Sequence, residues 1–255
     1  MFEFYISPKP FGDTIAAAVA LENYGFLHGD ICYVNPMGVL PKLVDLFNFK
    51  YLRIKNTSLT SINVDLAYEQ LIKHHRANKD CLPHLISMCY YLCGKIPDVP
   101  LVPKYKNQIP EEKDDIVLVQ FDNGAARNHD TYRQEELGPP PGTFRTPMTV
   151  DEMKKVISVF SESNNIAVIG GPATERYLGC DFEYRIGEVD YISEQLAKCR
   201  HFLGCDSGIS HLAGLMGIYS KVVVLGHFEC VSEFYKSYPN TQIMDINTDI
   251  TPYSY

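Results

Sequence analysis

The stretch Cys205-Asp206-Ser207-Gly208-Ile209-Ser210-His211-Leu212-Ala213 decides how the rest of the chain is read. Before it, His201-Phe202-Leu203-Gly204 is a short apolar run that reads as a buried strand. After it, Leu212-Ala213-Gly214-Leu215-Met216-Gly217 reads as an apolar helix ending in glycine, and Lys221-Val222-Val223-Val224-Leu225-Gly226 as another buried strand. Asp206-Ser207-Gly208 is then a strand-to-helix turn inside a β-α-β unit. Such turns lie at the carboxyl edge of a sheet, where ligands bind. The first helical turn has backbone N–H groups without intrahelical partners and a positive dipole end, which suits a phosphate. Gly208 has no Cβ and lets a ligand come close to the backbone. The same residues also fit a purely structural role, with Asp206 or Ser207 as the helix N-cap and His211 as a core histidine. The turn alone leaves both readings open.

Working outward, the second half of the chain alternates strand and helix. Ile116 to Phe121 reads as a buried strand, followed by a long polar, proline-rich stretch from Asp122 to Pro147. Thr149 and Glu152 fit a capping box for a helix running to about Glu162. Ile166 to Ile169 reads as a strand and Tyr191 to Cys199 as a short helix. Glu229 to Lys236 reads as a further helix and Gln242 to Ile246 as a last strand. The first half begins in the same way. Strands at Phe2–Ile6, Ile31–Val34 and Tyr51–Ile54 enclose helices at Thr14–Gly25 and Met37–Phe47, a β-α-β-α-β pattern that indicates a parallel sheet. Helical spacing follows from Asn63 to Arg76, and Leu85 to Leu92 is apolar. Lys95 to Lys113 carries Pro97, Pro100, Pro103 and Pro110 and reads as a linker. The expected organisation is two α/β domains, residues 1–107 and 108–255.

Composition narrows the class. The chain has 255 residues, 45% of them hydrophobic and 21% charged, which is ordinary for a globular protein. Its net charge of −8 argues against a broad footprint for duplex nucleic acid. The eight cysteines form no Cys-x-x-Cys pair and read as buried free thiols, suited to a reducing cytosol. No secretory signal and no run of about 18 apolar residues is visible, so the expectation is a cytoplasmic protein without a membrane span.

Four further features can carry chemistry. Gly12-Asp13 follows the first strand, and Asp13 can either take a proton from an acceptor hydroxyl or cap the helix. Gly170-Gly171-Pro172 follows the strand Ile166–Ile169 and leaves room for a ligand. Glu175 can accept bonds from ribose hydroxyls or favour a helix dipole. Arg145 and Arg127 can each clamp a diphosphate or sit on the surface.

Together, Gly12-Asp13, Gly170-Gly171-Pro172 with Glu175, and above all Phe202 to Ala213 followed by Val222 to Gly226 resemble the heptosyltransferase-like family 9 glycosyltransferases. The resemblance implies the GT-B fold, two Rossmann-like domains facing a central cleft, here with a reduced first domain. It implies an inverting, metal-independent transfer of a sugar from a nucleotide diphosphate sugar to a hydroxyl acceptor, with no cofactor. That agrees with the lack of an Asp-x-Asp motif. Carried over by residue, Asp13 is the general base for the acceptor. Ser207, Gly208 and His211 hold the donor diphosphate, Asp206 shapes the turn, Gly170 and Gly171 leave room for the nucleoside, Glu175 holds the ribose and Arg145 stabilises the leaving group. The acceptor is a glycan, a lipid-linked glycan, a protein or a modified nucleic acid. Two rival readings remain: a nucleotide-sugar 2-epimerase on the same fold, and a non-catalytic nucleotide-sugar-binding protein.

Overall fold

The computed structural model describes residues 1–7, 10–57, 61–66, 69–71, 73, 84–94, 98, 100–120, 157–158, 165–171, 182–224 and 235–245. The chain forms two compact units. One comprises Met1–Gln108 with Glu233–Tyr238, and the other Ile109–Ser232 with Pro239–Tyr255.

The amino-terminal unit begins with strand β1 (Phe2–Tyr5), whose aromatic residues favour a pleated, half-buried surface. Helix α1 (Phe11–His28) follows, with every side chain from Thr14 to Asn23 buried. A helix apolar on all sides belongs in a core, and Ile15 to Leu21 supplies it. The helix starts three residues earlier than the sequence suggests. Pro10 takes the N-cap position without a side-chain cap bond, and Thr14 donates from both N and Oγ1 to the Pro10 carbonyl. Gly12 and Asp13 therefore lie in the first helical turn rather than in a loop, and Asp13 is not the cap. The C-terminus ends on Gly29 in the left-handed region (φ 65°), whose missing Cβ makes that turn cheap.

Strands β2 (Cys32–Val34), β3 (Phe47–Asn48), β4 (Leu52–Ile54) and β5 (Ile62–Asn63) and helix α2 (Leu40–Leu46) continue the unit. The main sheet has the order β4-β2-β1-β5 with every pairing parallel. Helical backbone at 64–66, 69–71 and 73 precedes helix α3 (His84–Cys93). The segment whose prolines mark it as a linker is fastened to this unit. Strand β6 (Lys104–Tyr105) pairs antiparallel with β3, and Leu101 exchanges two hydrogen bonds with the buried Asn23 side chain, of 2.7 and 2.9 Å.

The carboxy-terminal unit holds a six-stranded sheet. Its strands are β7 (Asp114–Gln120), β8 (Ile166–Gly170), β9 (Glu183–Ile186), β10 (Cys199–Cys205), β11 (Ser220–Val224) and β12 (Thr241–Asp245). The order is β12-β11-β10-β7-β8-β9, again wholly parallel. Central strands buried on both faces need continuous apolar runs, which Ile116–Val119 and Ala167–Ile169 provide. Helix α4 (Val189–Lys198) leads into β10, and helix α5 (Gly208–Met216) joins β10 to β11 and ends on Gly217 (φ 74°). The helix expected from Thr149 lies outside the described residues except at 157–158, as does the helix 229–236 except at 235–236.

Cys32, Cys89, Cys93, Cys199 and Cys205 are free thiols, as the sequence suggests. Burial pushes the Cys32 and Cys199 thiols up to about 12, so they act as small hydrophobes rather than nucleophiles. Among the described residues no helix is long and apolar enough to cross a membrane.

Candidate functional site

In a parallel sheet all strands end on one edge, so the strand order decides where ligands can sit. From β7 the chain winds outward through β8 to β9; from β10 it winds the other way through β11 to β12. The direction reverses between β7 and β10, which are neighbours. At such a reversal the connections leave to opposite faces and open a crevice at the carboxyl ends. Here β7 ends at Gln120 and β10 at Cys205. The stretch Asp206-Ser207-Gly208 thus lies at the switch point of the sheet.

The turn is built from hydroxyls. Ser207 has extended backbone (φ −157°, ψ 165°) and is the N-cap of α5, its Oγ accepting from Ser210 N at 3.3 Å. The structural reading of Ser207 is therefore correct, and it does not displace the ligand reading. The cap satisfies the third amide of the helix, while the Gly208 and Ile209 N–H groups have no acceptor within the helix. Ser207 Oγ gives its own proton to Gln120 Oε1 at 2.6 Å, and Ser210 Oγ donates to the Cys205 carbonyl at 2.6 Å. Gly204 makes room for Ser210. A Cβ there would stand 2.6 Å from Ser210 Oγ and 2.7 Å from the Phe202 ring. The helix start is thereby pinned to the ends of β7 and β10. Asp206 and His211 are both buried, and His211 Nε2 lies 4.0 Å from Asp206 Oδ1, outside hydrogen-bond reach and an ion pair only with a protonated imidazole.

Gly170 closes β8, and its carbonyl accepts from Gly187 N at 3.1 Å. A Cβ at Gly171 would meet no described atom within 4 Å, so space is open beside it. β8 lies two strands from β10, about 10 Å along the edge at the usual strand spacing. Gly170, Gly171, Asp206, Ser207, Gly208 and His211 therefore share one edge of one sheet. Arg127, Arg145 and Glu175 lie outside the described residues.

Asp13 belongs to the other unit, where the same logic applies. In the order β4-β2-β1-β5 the chain winds from β1 through β2 to β4, then crosses to β5 on the far side of β1. The loop after β1 leaves at that reversal, and Asp13 is half-buried in the first turn of the helix it enters. Asp65, next to β5, accepts from Ser7 N at 3.2 Å and fixes that loop. Each candidate half thus sits at the switch point of its own sheet.

The sequence reading overlooked Gln120 and Ser210. Gln120 had a signal, since it is the lone polar side chain in an apolar strand run. An open cavity of about 450 Å³ lies at the opposite, amino edge, between Asp114, Asp115, Asn165, Glu183 and Arg185. Arg185 is already engaged there, with Glu183 and Gln195, at 2.7 Å each. Among the described residues no group of three or more His, Cys, Asp or Glu side chains is arranged to hold a metal ion.

Two parallel doubly wound sheets in one chain define an α/β protein of the GT-B class, and solved heptosyltransferases share this fold. The Escherichia coli heptosyltransferase WaaC solved with ADP superposes with a TM-score of 0.55 at 8% identity, over 96% of this chain and 93% of that one. The E. coli ADP-heptose lipopolysaccharide heptosyltransferase II gives 0.56 at 11% identity, over 96% and 90%. The iron-containing dodecameric glycosyltransferase TibC of enterotoxigenic E. coli gives 0.59 at 15% identity, over 94% of this chain. The chain spans 61% of the length of TibC. No family model and no curated protein sequence matches the chain.

Proposed function

We propose that this chain is a glycosyltransferase that moves a sugar from a nucleotide diphosphate sugar to a hydroxyl acceptor, with inversion and without a metal ion. The observation that carries the reading is the start of α5, capped by Ser207 and set at the switch point with the Gly208 and Ile209 amides directed outward from the helix end. Helix amides and the positive dipole end stabilise a departing diphosphate, a task that a metal ion performs elsewhere. The likeness to heptosyltransferases supports the same reading. WaaC is solved with ADP and TibC with ADP-D-β-D-heptose, which makes adenosine diphosphate sugars the first donors to test.

In this mechanism the Asp13 carboxylate takes the acceptor's hydroxyl proton. The acceptor oxygen forms a bond to the anomeric carbon from the face opposite the diphosphate. The bond between that carbon and the diphosphate oxygen breaks, and the nucleoside diphosphate leaves with the electron pair. Glu175 holds the ribose, Arg145 neutralises the leaving group, His211 assists it, Asp206 shapes the turn, and Gly170 and Gly171 leave room for the nucleoside.

A thermal-shift screen of nucleoside diphosphates and their sugars, followed by turnover assays, tests the reading. Gly208→Val weakens binding of the matching nucleoside diphosphate by about tenfold or more, the equivalent of one charge-assisted hydrogen bond. Asp13→Asn leaves that binding unchanged and lowers kcat by roughly 100- to 10,000-fold, the usual worth of a positioned base. Unaltered turnover in Asp13→Asn rejects the base. A new epimer formed without acceptor identifies a 2-epimerase, and binding with no turnover on any donor identifies a non-catalytic protein.

A further inference from the structure

Gln120 ends β7, pairs in register with Gly204, and is only 3% exposed. Its carboxamide uses one end. Oε1 accepts from Ser207 Oγ at 2.6 Å and from Cys205 Sγ at 3.9 Å. The Ser207 hydroxyl has one proton and two acceptors in reach, and the 2.6 Å approach to Oε1 against 3.3 Å to Ser210 Oγ assigns it to the glutamine, which turns Nε2 to the other side. The other end, Nε2, carries two N–H donors, and no described residue accepts from them. A side chain held almost entirely within the protein at the carboxyl end of β7, beside the switch point, with donors that no described residue takes up, is arranged for a ligand. Donors left empty in such a place are costly unless something acceptor-rich occupies them.

We propose that Gln120 is a ligand-contacting residue, donating from Nε2 to a phosphate oxygen of the nucleoside diphosphate held at the start of α5. The inference rests on the donor site proposed above and adds a contact from β7 to the amides of Gly208 and Ile209. Three neutral donors from two elements then converge on one anion, and the Ser207 hydroxyl that caps the helix also locks the glutamine. A neutral carboxamide contributes hydrogen bonds without adding charge, so it reads the phosphate oxygen's lone pairs through fixed geometry.

The test titrates ADP, UDP, adenosine and inorganic pyrophosphate into the full-length chain by calorimetry, for the wild type, Gln120→Glu and Gln120→Met. Glutamate still accepts from Ser207 but presents oxygen where Nε2 stood. Methionine keeps the volume and removes both ends. The expected result is a loss of about tenfold or more in diphosphate affinity for Gln120→Glu and a smaller loss for Gln120→Met, roughly one hydrogen bond to a charged group. Adenosine affinity stays the same in all three. A role confined to holding Ser207 would instead spare Gln120→Glu and weaken only Gln120→Met. Diphosphate binding by Gln120→Glu equal to the wild type overturns the contact and leaves the donor site standing. Wild-type binding of pyrophosphate without any nucleotide, weakened by Gln120→Glu, supports the contact and rejects the nucleotide donor. Absence of binding by every probe overturns both. Should Gln120→Glu fail to fold, Gln120→Met made in a Ser207→Ala background decides, since no Ser207 hydroxyl is left to hold: a further loss of diphosphate but not adenosine affinity supports the contact, and no further loss overturns it.

Discussion

Glu22 is a charge held in a core by backbone alone. It lies in the buried part of α1 at 1% exposure, and its carboxylate accepts from the amides of Lys50 at 2.7 Å and of Tyr51 and Leu52 at 2.9 Å each. Those amides open β4, so one side chain fastens the helix to the strand. Replacing it leaves three backbone donors without their acceptor, that of Leu52 buried and the other two half-buried. Glu22→Ala is expected to lower stability by about 2–4 kcal/mol, and Glu22→Gln by about 1–3 kcal/mol because its NH₂ faces an amide donor. Urea midpoints of the two variants check both figures, and a Glu22→Gln midpoint equal to the wild type would refute the account. At this scale the sequence was legible where chemistry is local. Ser207 is followed by a helix and stands where a cap is needed, so both of its possible roles were readable. Gln120 was not, because its meaning depends on Ser207, which is 87 positions away and adjacent only through the β7–β10 pairing.

Elements were legible where burial is continuous. The apolar runs of β1, β2, β7, β8, β10 and β11 announce strands, because a parallel sheet covered on both faces demands them. The short pairings were hidden for a physical reason. β3 and β6 are two residues each and meet across a long sequence gap, and β9, Glu183-Tyr184-Arg185-Ile186, is a polar edge strand with one neighbour. Gly25 shows the reverse error. Its position near the end of an apolar helical run suggests a terminator, yet α1 continues to His28 and Gly25 is instead a point of contact. A Cβ there would lie 2.5 Å from Tyr51 Cβ and 2.7 Å from the Asp30 carbonyl oxygen. Neither atom is the movable end of a side chain. Alanine gains about 1 kcal/mol of helix propensity, but overpacking costs about 1–3 kcal/mol. The same shift pulls the Glu22 carboxylate from the β4 amides. Gly25→Ala is therefore expected to destabilise the protein on balance, and a thermal midpoint at or above that of the wild type would show that α1 can yield.

The chain visits its amino-terminal unit twice, since Glu233–Tyr238 returns to it after most of the second unit is complete. Tyr235 and Tyr238 are buried there at 1% and 2% exposure, their rings 6.1 Å apart. No composition signal marks that return, because Glu229 to Lys236 reads only as a further helix and its destination is set by packing. The consequence is that the last part of the chain stabilises the first unit, whereas the proposed diphosphate contacts belong to the second. Two perturbations should then separate. Truncating a fully buried aromatic costs about 3–5 kcal/mol, so Tyr235→Ala is expected to speed amide hydrogen exchange in β1, β2 and β4 while β7 and β10 keep their protection. A nucleoside diphosphate at about 100 times its Kd stabilises what it binds by about 2.7 kcal/mol. Its protection is expected at Gln120, along β10 and in the first turn of α5, in the Tyr235→Ala variant as in the wild type. Exchange measured with and without ADP in both proteins reads the two effects independently. Loss of β10 protection equal to that of β1 in Tyr235→Ala would mean that the units open as one, and slowing of β1 and β2 by ADP equal to that of β10 would move the diphosphate contacts away from α5.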